Sequence, residues 1–177
     1  GCLPRVDSVL MNGKCSLVDR PLLRSLRVIH QNVQGAKAKT PQIEVLLDLY
    51  SPDLVCIPEH FFNKADLDSF SMPGYCIASG YCRSILKRGG VCVLVKELLK
   101  FYEIDISEFS IEGVCELCGV RVESEANSIT FICVYRPPNQ SISEINDFFL
   151  SIQHCLETCI HLDRWIVLSG DFNIDFS

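Results

Sequence analysis

The chain has no uninterrupted apolar run approaching the roughly 18 residues that a membrane span needs, although hydrophobic residues fill 48% of its 177 positions. It is also short of cations, with 16 Lys and Arg against 22 Asp and Glu, a formal charge of −6. That balance excludes a protein that coats nucleic acid through bulk positive charge, while leaving room for local phosphate contacts and for an acidic cation site. The opening Gly1-Cys2-Leu3-Pro4-Arg5 lacks both an initiator Met and a compact apolar stretch, so it does not read as a signal peptide. The expectation is a fragment or processed chain that works inside the cell, in the nucleus or cytoplasm, away from membranes. Internal repeats and low-complexity tracts are also missing. With 21% charged residues the composition is globular, and the length suits one domain with a real core but hardly two.

Cysteine, by contrast, is abundant. The 11 thiols are an odd number, and most sit inside apolar runs, as Cys56 does in Leu54-Val55-Cys56-Ile57 and Cys133 in Phe131-Ile132-Cys133-Val134. There they behave as small buried hydrophobes and are read as reduced. Cys115 and Cys118 form a C-x-x-C in a strand-like run, where a spacing of three points the two thiols to opposite faces and argues against a redox or zinc pair. His154, Cys155, Cys159 and His161 share one helical segment, and their spacing does not gather four ligands.

Residues 1–23 show no clear period and are read as a poorly determined leader, with one domain over 24–177. Leu26–Asn32 reads as a strand that turns polar at its end. Apolar residues at 43, 46, 47 and 50 mark a helix face, with Thr40 as N-cap and Pro41 at the first helical position, stopped by Ser51-Pro52. Asp53–Ile57 is a strand buried on both faces. Tyr75–Ala78 and Gly90–Val95 are strands, and 114–122 and 128–135 are apolar runs around a hairpin-like turn. Ile142, Ile145, Phe148, Phe149, Ile152, Leu156 and Ile160 keep helical spacing across 141–161. Trp165–Ser169 is a strand that feeds Gly170-Asp171-Phe172-Asn173. The mix of strands and outer helices predicts a layered α/β domain.

Four of these strands end on polar residues: Asn32, Glu59, Tyr135 with Arg136, and Asp171 with Asn173. Buried strands can gather such ends at one rim of a sheet. Glu59 is a hard oxygen ligand of the kind Mg²⁺ prefers. Asp171 can orient or deprotonate a water. Asn32, Asn173 and Tyr135 are neutral donors for phosphate oxygens as charge develops, and Arg136 offers a bidentate fork. Read singly, each has a blander role: Glu59 as a solvated strand end, Tyr135 packing on Pro137 and Pro138, and Asp171 with Asn173 as a turn.

Together the elements carry a resemblance. Ser169-Gly170-Asp171-Phe172-Asn173 resembles the GDFN element of the endonuclease/exonuclease/phosphatase superfamily, and Val134-Tyr135-Arg136-Pro137-Pro138-Asn139 resembles the YRPP element of non-LTR retrotransposon endonuclease domains, which are similar to abasic-site endonucleases. Val28–Val33 and Leu54–His60 are similar to its first two motifs, a strand ending in Asn and a strand ending in a metal-binding Glu. Arg88-Gly89-Gly90-Val91-Cys92-Val93 is similar to its central glycine-led strand. The resemblance runs in order from about Leu26 to Asp175. It implies a deoxyribonuclease I-like α/β sandwich, two central mixed sheets flanked by helices, incomplete at the C-terminus. It further implies Mg²⁺ or Mn²⁺ at Glu59 with Asn32 nearby, Tyr135 on the scissile phosphate, Asp171 on the water and Asn173 on the transition state. Arg136 is either a phosphate contact or a shaper of the Pro137-Pro138 loop. DNA is the implied substrate and a fused reverse transcriptase the implied neighbour.

Two departures stand out. Pro58 directly precedes the metal-binding Glu, where the loss of a backbone donor suits a strand end. The Ser-Asp-His-type motif that closes the superfamily pattern is not found before Ser177, so the expectation for these 177 residues is DNA nicking that is weak or lost, with the Trp165–Ser169 strand left as a sheet edge. A phosphatase acting on a small molecule or lipid, or a non-catalytic decayed remnant, remain the alternatives.

Overall fold

A computed structural model of the chain describes residues 26–123, 128–163 and 165–174. The expected leader, 1–23, and the tip of the expected hairpin, 124–127, lie outside the described residues.

Among the described residues, eight strands form two four-stranded mixed sheets. In the first, β1 (Val28–His30) runs parallel to β2 (Leu54–Pro58), β2 pairs antiparallel with β4 (Val91–Lys96), and β4 pairs with β3 (Tyr75–Tyr81). In the second, β5 (Lys100–Ile104), β6 (Glu116–Glu123) and β7 (Ser128–Tyr135) are antiparallel, and β8 (Ile166–Asp171) lies parallel to β7 at the edge.

The alternation of side chains explains how the sheets stack. On β4, Val91, Val93 and Val95 face one way and meet Cys118, Val120 and Val122 of β6, with Phe131, Cys133 and Tyr135 of β7, in a core between the sheets. Cys92 and Leu94 face the other way. They join Val55 and Ile57 in packing on Ile43 and Leu47 of helix α1 (Thr40–Tyr50) and on Leu67 of α2 (Lys64–Ser69). Leu117, Ile132 and Val134 turn outward on the second sheet and pack on Phe148, Cys155 and Cys159 of α3 (Ile142–Cys159). The result is a helix–sheet–sheet–helix sandwich, the layered architecture expected from the sequence. It also explains why β2, β4, β6 and β7 read as continuous apolar runs, since both faces of each are covered. Cys115 lies in the outer core and Cys118 in the inner one, on opposite faces of the sheet.

Several elements differ from expectation for physical reasons. The α1 N-cap is Lys39, not Thr40, whose hydroxyl instead donates to the Ala36 and Lys37 carbonyls. On α3 the buried residues are Phe148, Ser151, Cys155 and Cys159, while Ile142, Phe149 and Ile160 of the expected apolar stripe are exposed. Small thiols let the helix sit close to the sheet. Its start is set by a capping box in which Ser141 and Glu144 exchange hydrogen bonds. Helix α2, capped by Asn63, and strand β5 were not anticipated: α2 buries only Leu67, and β5 is a largely exposed edge. Among the described residues no helix is long and apolar enough to cross a membrane.

Candidate active site at the rim of the two sheets

Strands β1 and β2 are parallel, as are β7 and β8, and their C-terminal ends meet at one rim. Asn32 lies just past β1. Its Nδ2 donates to Glu59 Oε1 at 2.7 Å and to Asp171 Oδ2 at 2.7 Å, so a single amide ties a carboxylate of the first sheet to a carboxylate of the second. Asn32 Oδ1 accepts from the Gln34 backbone N–H at 3.1 Å, which fixes the orientation of the side-chain amide.

Tyr135 is the register partner of Asp171 across β7 and β8. Burial pushes its phenol well above the usual tyrosine range, and the neighbouring Glu59 adds to this through its charge and a hydrogen bond. The phenol is therefore a protonated donor throughout the physiological range, not a base. Asn32, Glu59, Tyr135 and Asp171, predicted from four separate strand ends, converge here.

The backbone at the rim is held in unusual conformations. Glu59 and Phe61 adopt φ values of 55° and 62°, and Gln34 and Asn173 of 47° and 45°. For residues with a Cβ, each such value costs about 1–2 kcal/mol. Surrounding hydrogen bonds compensate: Gly35 N donates to Glu59 O at 2.8 Å, Ala36 N to His60 O at 3.0 Å, and Phe61 N to Gly89 O at 2.9 Å. On β8, Gly170 sits where a Cβ would run into the Val134 carbonyl. The glycine before Asp171 thus lets the last strand close on β7.

Arg136 does something other than offer a phosphate fork. Its side chain is buried, and Nε donates to Phe172 O at 2.6 Å, Nη2 to Asn173 O and Nη1 to Gln140 Oε1 at 3.1 Å. The guanidinium also lies 5.8 Å from the centre of the Phe148 ring. It braces the Phe172-Asn173 loop that follows Asp171, whereas the loop role expected of it was at Pro137-Pro138. Asn173 is drawn into the same brace. Its Nδ2 donates to Arg136 O at 2.7 Å, and its backbone N–H donates to Asp171 Oδ1 at 3.2 Å. In this arrangement Asn173 orients the Asp171 carboxylate through its backbone, with its side chain directed at the loop.

The donor set suits Mg²⁺. Two half-buried carboxylates approach one amide nitrogen, and no group of three or more His, Cys, Asp or Glu residues arranged for a metal occurs among the described residues. A hard cation that takes one or two carboxylates and keeps much of its water shell fits such a rim, whereas zinc would need a fuller set.

With this geometry in view, the comparisons with known proteins are specific. No family model matches the chain, and no curated protein does. Solved structures do match. The endonuclease domain of TRAS1, a telomere-specific non-LTR retrotransposon, superposes with a TM-score of 0.63 at 16% identity, over 84% of this chain and 61% of that one. A 3′-5′ exonuclease from Neisseria meningitidis gives 0.62 at 15% identity, over 83% and 57%. The AP endonuclease LMAP from Leishmania major gives 0.60 at 14%, over 83% and 54%.

The chain has the fold that these solved nucleases share.

The chain spans about three-fifths of the length of the first of these structures. Within this fold, further residues that the sequence reading did not single out shape the rim. His60 is buried, its Nε2–H donating to Tyr81 O at 3.0 Å and its Nδ1 accepting from Phe62 N at 2.8 Å. Burial lowers its pKa to about 4, against the opposing pull of the Tyr81 and Val91 carbonyls, so it is a neutral strut behind Glu59. At Gly90 a Cβ would come within 2.5 Å of the His60 ring, and the φ of 82° there favours glycine in any case. The paired glycines before β4 were the available sequence signal for this packing.

Proposed function

We propose that the chain is the larger part of a metal-dependent phosphodiesterase domain that nicks DNA, of the kind carried by non-LTR retrotransposons beside a reverse transcriptase. The observation that carries this reading is the Asn32 amide held at 2.7 Å from both Glu59 and Asp171. It brings one carboxylate of each sheet to a shared, half-open rim beside a protonated phenol. The likeness to solved nucleases supports the choice of a phosphodiester substrate.

Each residue then has a separable task. Glu59, with Asn32 and Asp171 beside it, would hold Mg²⁺ or Mn²⁺, which when bound supplies positive charge to a phosphoryl oxygen and its leaving group. Asp171 accepts the proton of an attacking water, oriented for this by the Asn32 amide and the Asn173 backbone N–H. Tyr135 donates a hydrogen bond from its phenol to a non-bridging phosphate oxygen and keeps its proton, so a fixed donor stabilises growing charge. Arg136 keeps the Asp171 loop in place.

The test is nicking of supercoiled plasmid by the full-length protein with Mg²⁺. Glu59→Gln and Asp171→Asn should each lower the rate by about 100-fold or more. Equal rates in wild type and both variants, or no cation dependence, would end the proposal. A phosphoinositide hydrolysed faster than DNA would move it to the phosphatase branch of the same fold.

A further inference from the structure

Glu116, fully buried, and Arg83, largely so, are an ion pair that the chemistry above leaves unused. Glu116, at the start of β6, has no exposed surface, and its carboxylate accepts from Arg83 Nε at 2.5 Å, Gly90 N at 2.5 Å and Gly113 N at 3.2 Å. Such a pair is a poor device for stability. Desolvating two charges cancels most of their attraction, and apolar residues of similar volume often do as well or better. Its position suggests another purpose. Glu116 is the register partner of Tyr135 on the neighbouring strand, and the Arg83 guanidinium lies 5.9 Å from the centre of the Tyr135 ring. A Cβ on Gly89 would fall onto that guanidinium, so the cation is confined between the Gly89 backbone and the aromatic ring. Through the Gly90 N–H, the same carboxylate fixes the turn that presses on His60, the residue after Glu59.

We propose that Arg83 and Glu116 form a positioning unit for the active rim, with Arg83 setting the Tyr135 ring and Glu116 locking Arg83 and the Gly89-Gly90 turn in place. Neither touches the reacting atoms. Arg83 acts on the phosphate only through the phenol, because its guanidinium is held by Glu116 and by the Lys87 carbonyl at 3.4 Å. The inference rests on the nuclease reading for its kinetic consequence, but its geometric content stands apart from it.

The experiment is a double-mutant cycle on the full-length protein. Arg83→Met should lower kcat for plasmid nicking about 10-fold, with KM for DNA unchanged within twofold, and Arg83→Lys should recover only part of the loss because an ammonium lacks the planar fork. In a Tyr135→Phe background, Arg83→Met should add nothing further. Two independent, multiplying losses would overturn the proposal. So would a raised KM with a changed salt slope and an unaltered kcat, which marks a direct phosphate contact. A second arm needs no activity. In protein labelled at its tyrosines, the Tyr135 ring resonance should shift in Arg83→Met and in Glu116→Gln, whereas an unmoved resonance in folded variants would refute the contact. If the wild type fails to nick DNA, the functional reading falls while this arm still decides the positioning unit.

Discussion

Replacing Asn32 with Asp tests the central geometry without any assay of activity. The amide nitrogen donates to two carboxylates at 2.7 Å each, so Asn32→Asp exchanges a shared donor for a third negative charge. At about 3 Å and an effective dielectric constant of roughly 20, each like-charge pair is repelled by about 5 kcal/mol. Two such pairs cannot persist when proton uptake is available. Holding one carboxylic acid protonated at about pH 7 costs about 1.4 kcal/mol for each pH unit above its ordinary value, a ceiling of about 4 kcal/mol. The rim is half-open, and solvent screening reduces the expected loss to about 2–4 kcal/mol. The sign of the pH dependence follows. The folded variant has a raised carboxylate pKa and binds more protons than its unfolded state, so its deficit is largest at neutral pH and closes as pH falls towards about 4. Asn32→Ala, which only removes the two charge-assisted bonds, should lose about 1–3 kcal/mol with a weaker pH slope. Urea denaturation in the presence of a chelator, at neutral and mildly acidic pH, measures both. Millimolar Mg²⁺ should narrow the Asp variant's deficit by neutralising the repulsion. A deficit below the roughly 0.5 kcal/mol of an ordinary surface change, or one that does not close on acidification, would mean that Asn32 does not stand between the two carboxylates.

Three further outcomes are expected. Phe148 is 1% exposed and carries Arg136 and Phe172 against its ring; Phe148→Ala should lower stability by about 3–5 kcal/mol in chemical denaturation. Glu112 accepts from the backbone of Ser84, Ile85 and Leu86, and although burial opposes it, these bonds bring its pKa from 4.5 to about 2. Its contribution is therefore present at neutral pH, and in acid titration the wild type should lose its advantage over Glu112→Gln as pH falls from about 4.5 towards about 2. Among the described thiols, Cys76 and Cys82 are half-buried and the other seven are buried, with burial raising Cys115 to about 12. Alkylation followed by mass spectrometry should label Cys76 and Cys82 in the native protein and reach Cys92, Cys115 and Cys133 only on unfolding.

Much of the architecture was legible because continuous apolar runs, broken by polar turns, mark the doubly covered strands. β2 is apolar and buried throughout and β7 is apolar from Phe131 to Tyr135, and a period of two places Cys115 and Cys118 on opposite faces. The short α2 and the edge strand β5 were not, because each buries too little to leave a periodic signature. At the rim, Asn32, Glu59, Tyr135 and Asp171 stand out as polar residues that end apolar runs. Arg136 does not reveal its direction in the same way. A guanidinium facing phosphate and one facing two backbone carbonyls look identical in sequence, and the choice here depends on Phe148, which arrives from α3. Glu116 was hidden inside an apolar run, and its partner Arg83 lies 33 positions earlier.

The span of 139 positions between Asn32 and Asp171 also sets a timetable. At roughly 5–20 residues per second of synthesis, Asn32 leaves the ribosome some seconds to half a minute before the acid that completes its bridge. Throughout that interval the first sheet, α1 and even the Tyr135 strand can mature with no partner for the second amide hydrogen. Only when Gly170 slides in against Val134 does the bridge close, so the two carboxylates stay unlinked until nearly all of these elements are in place.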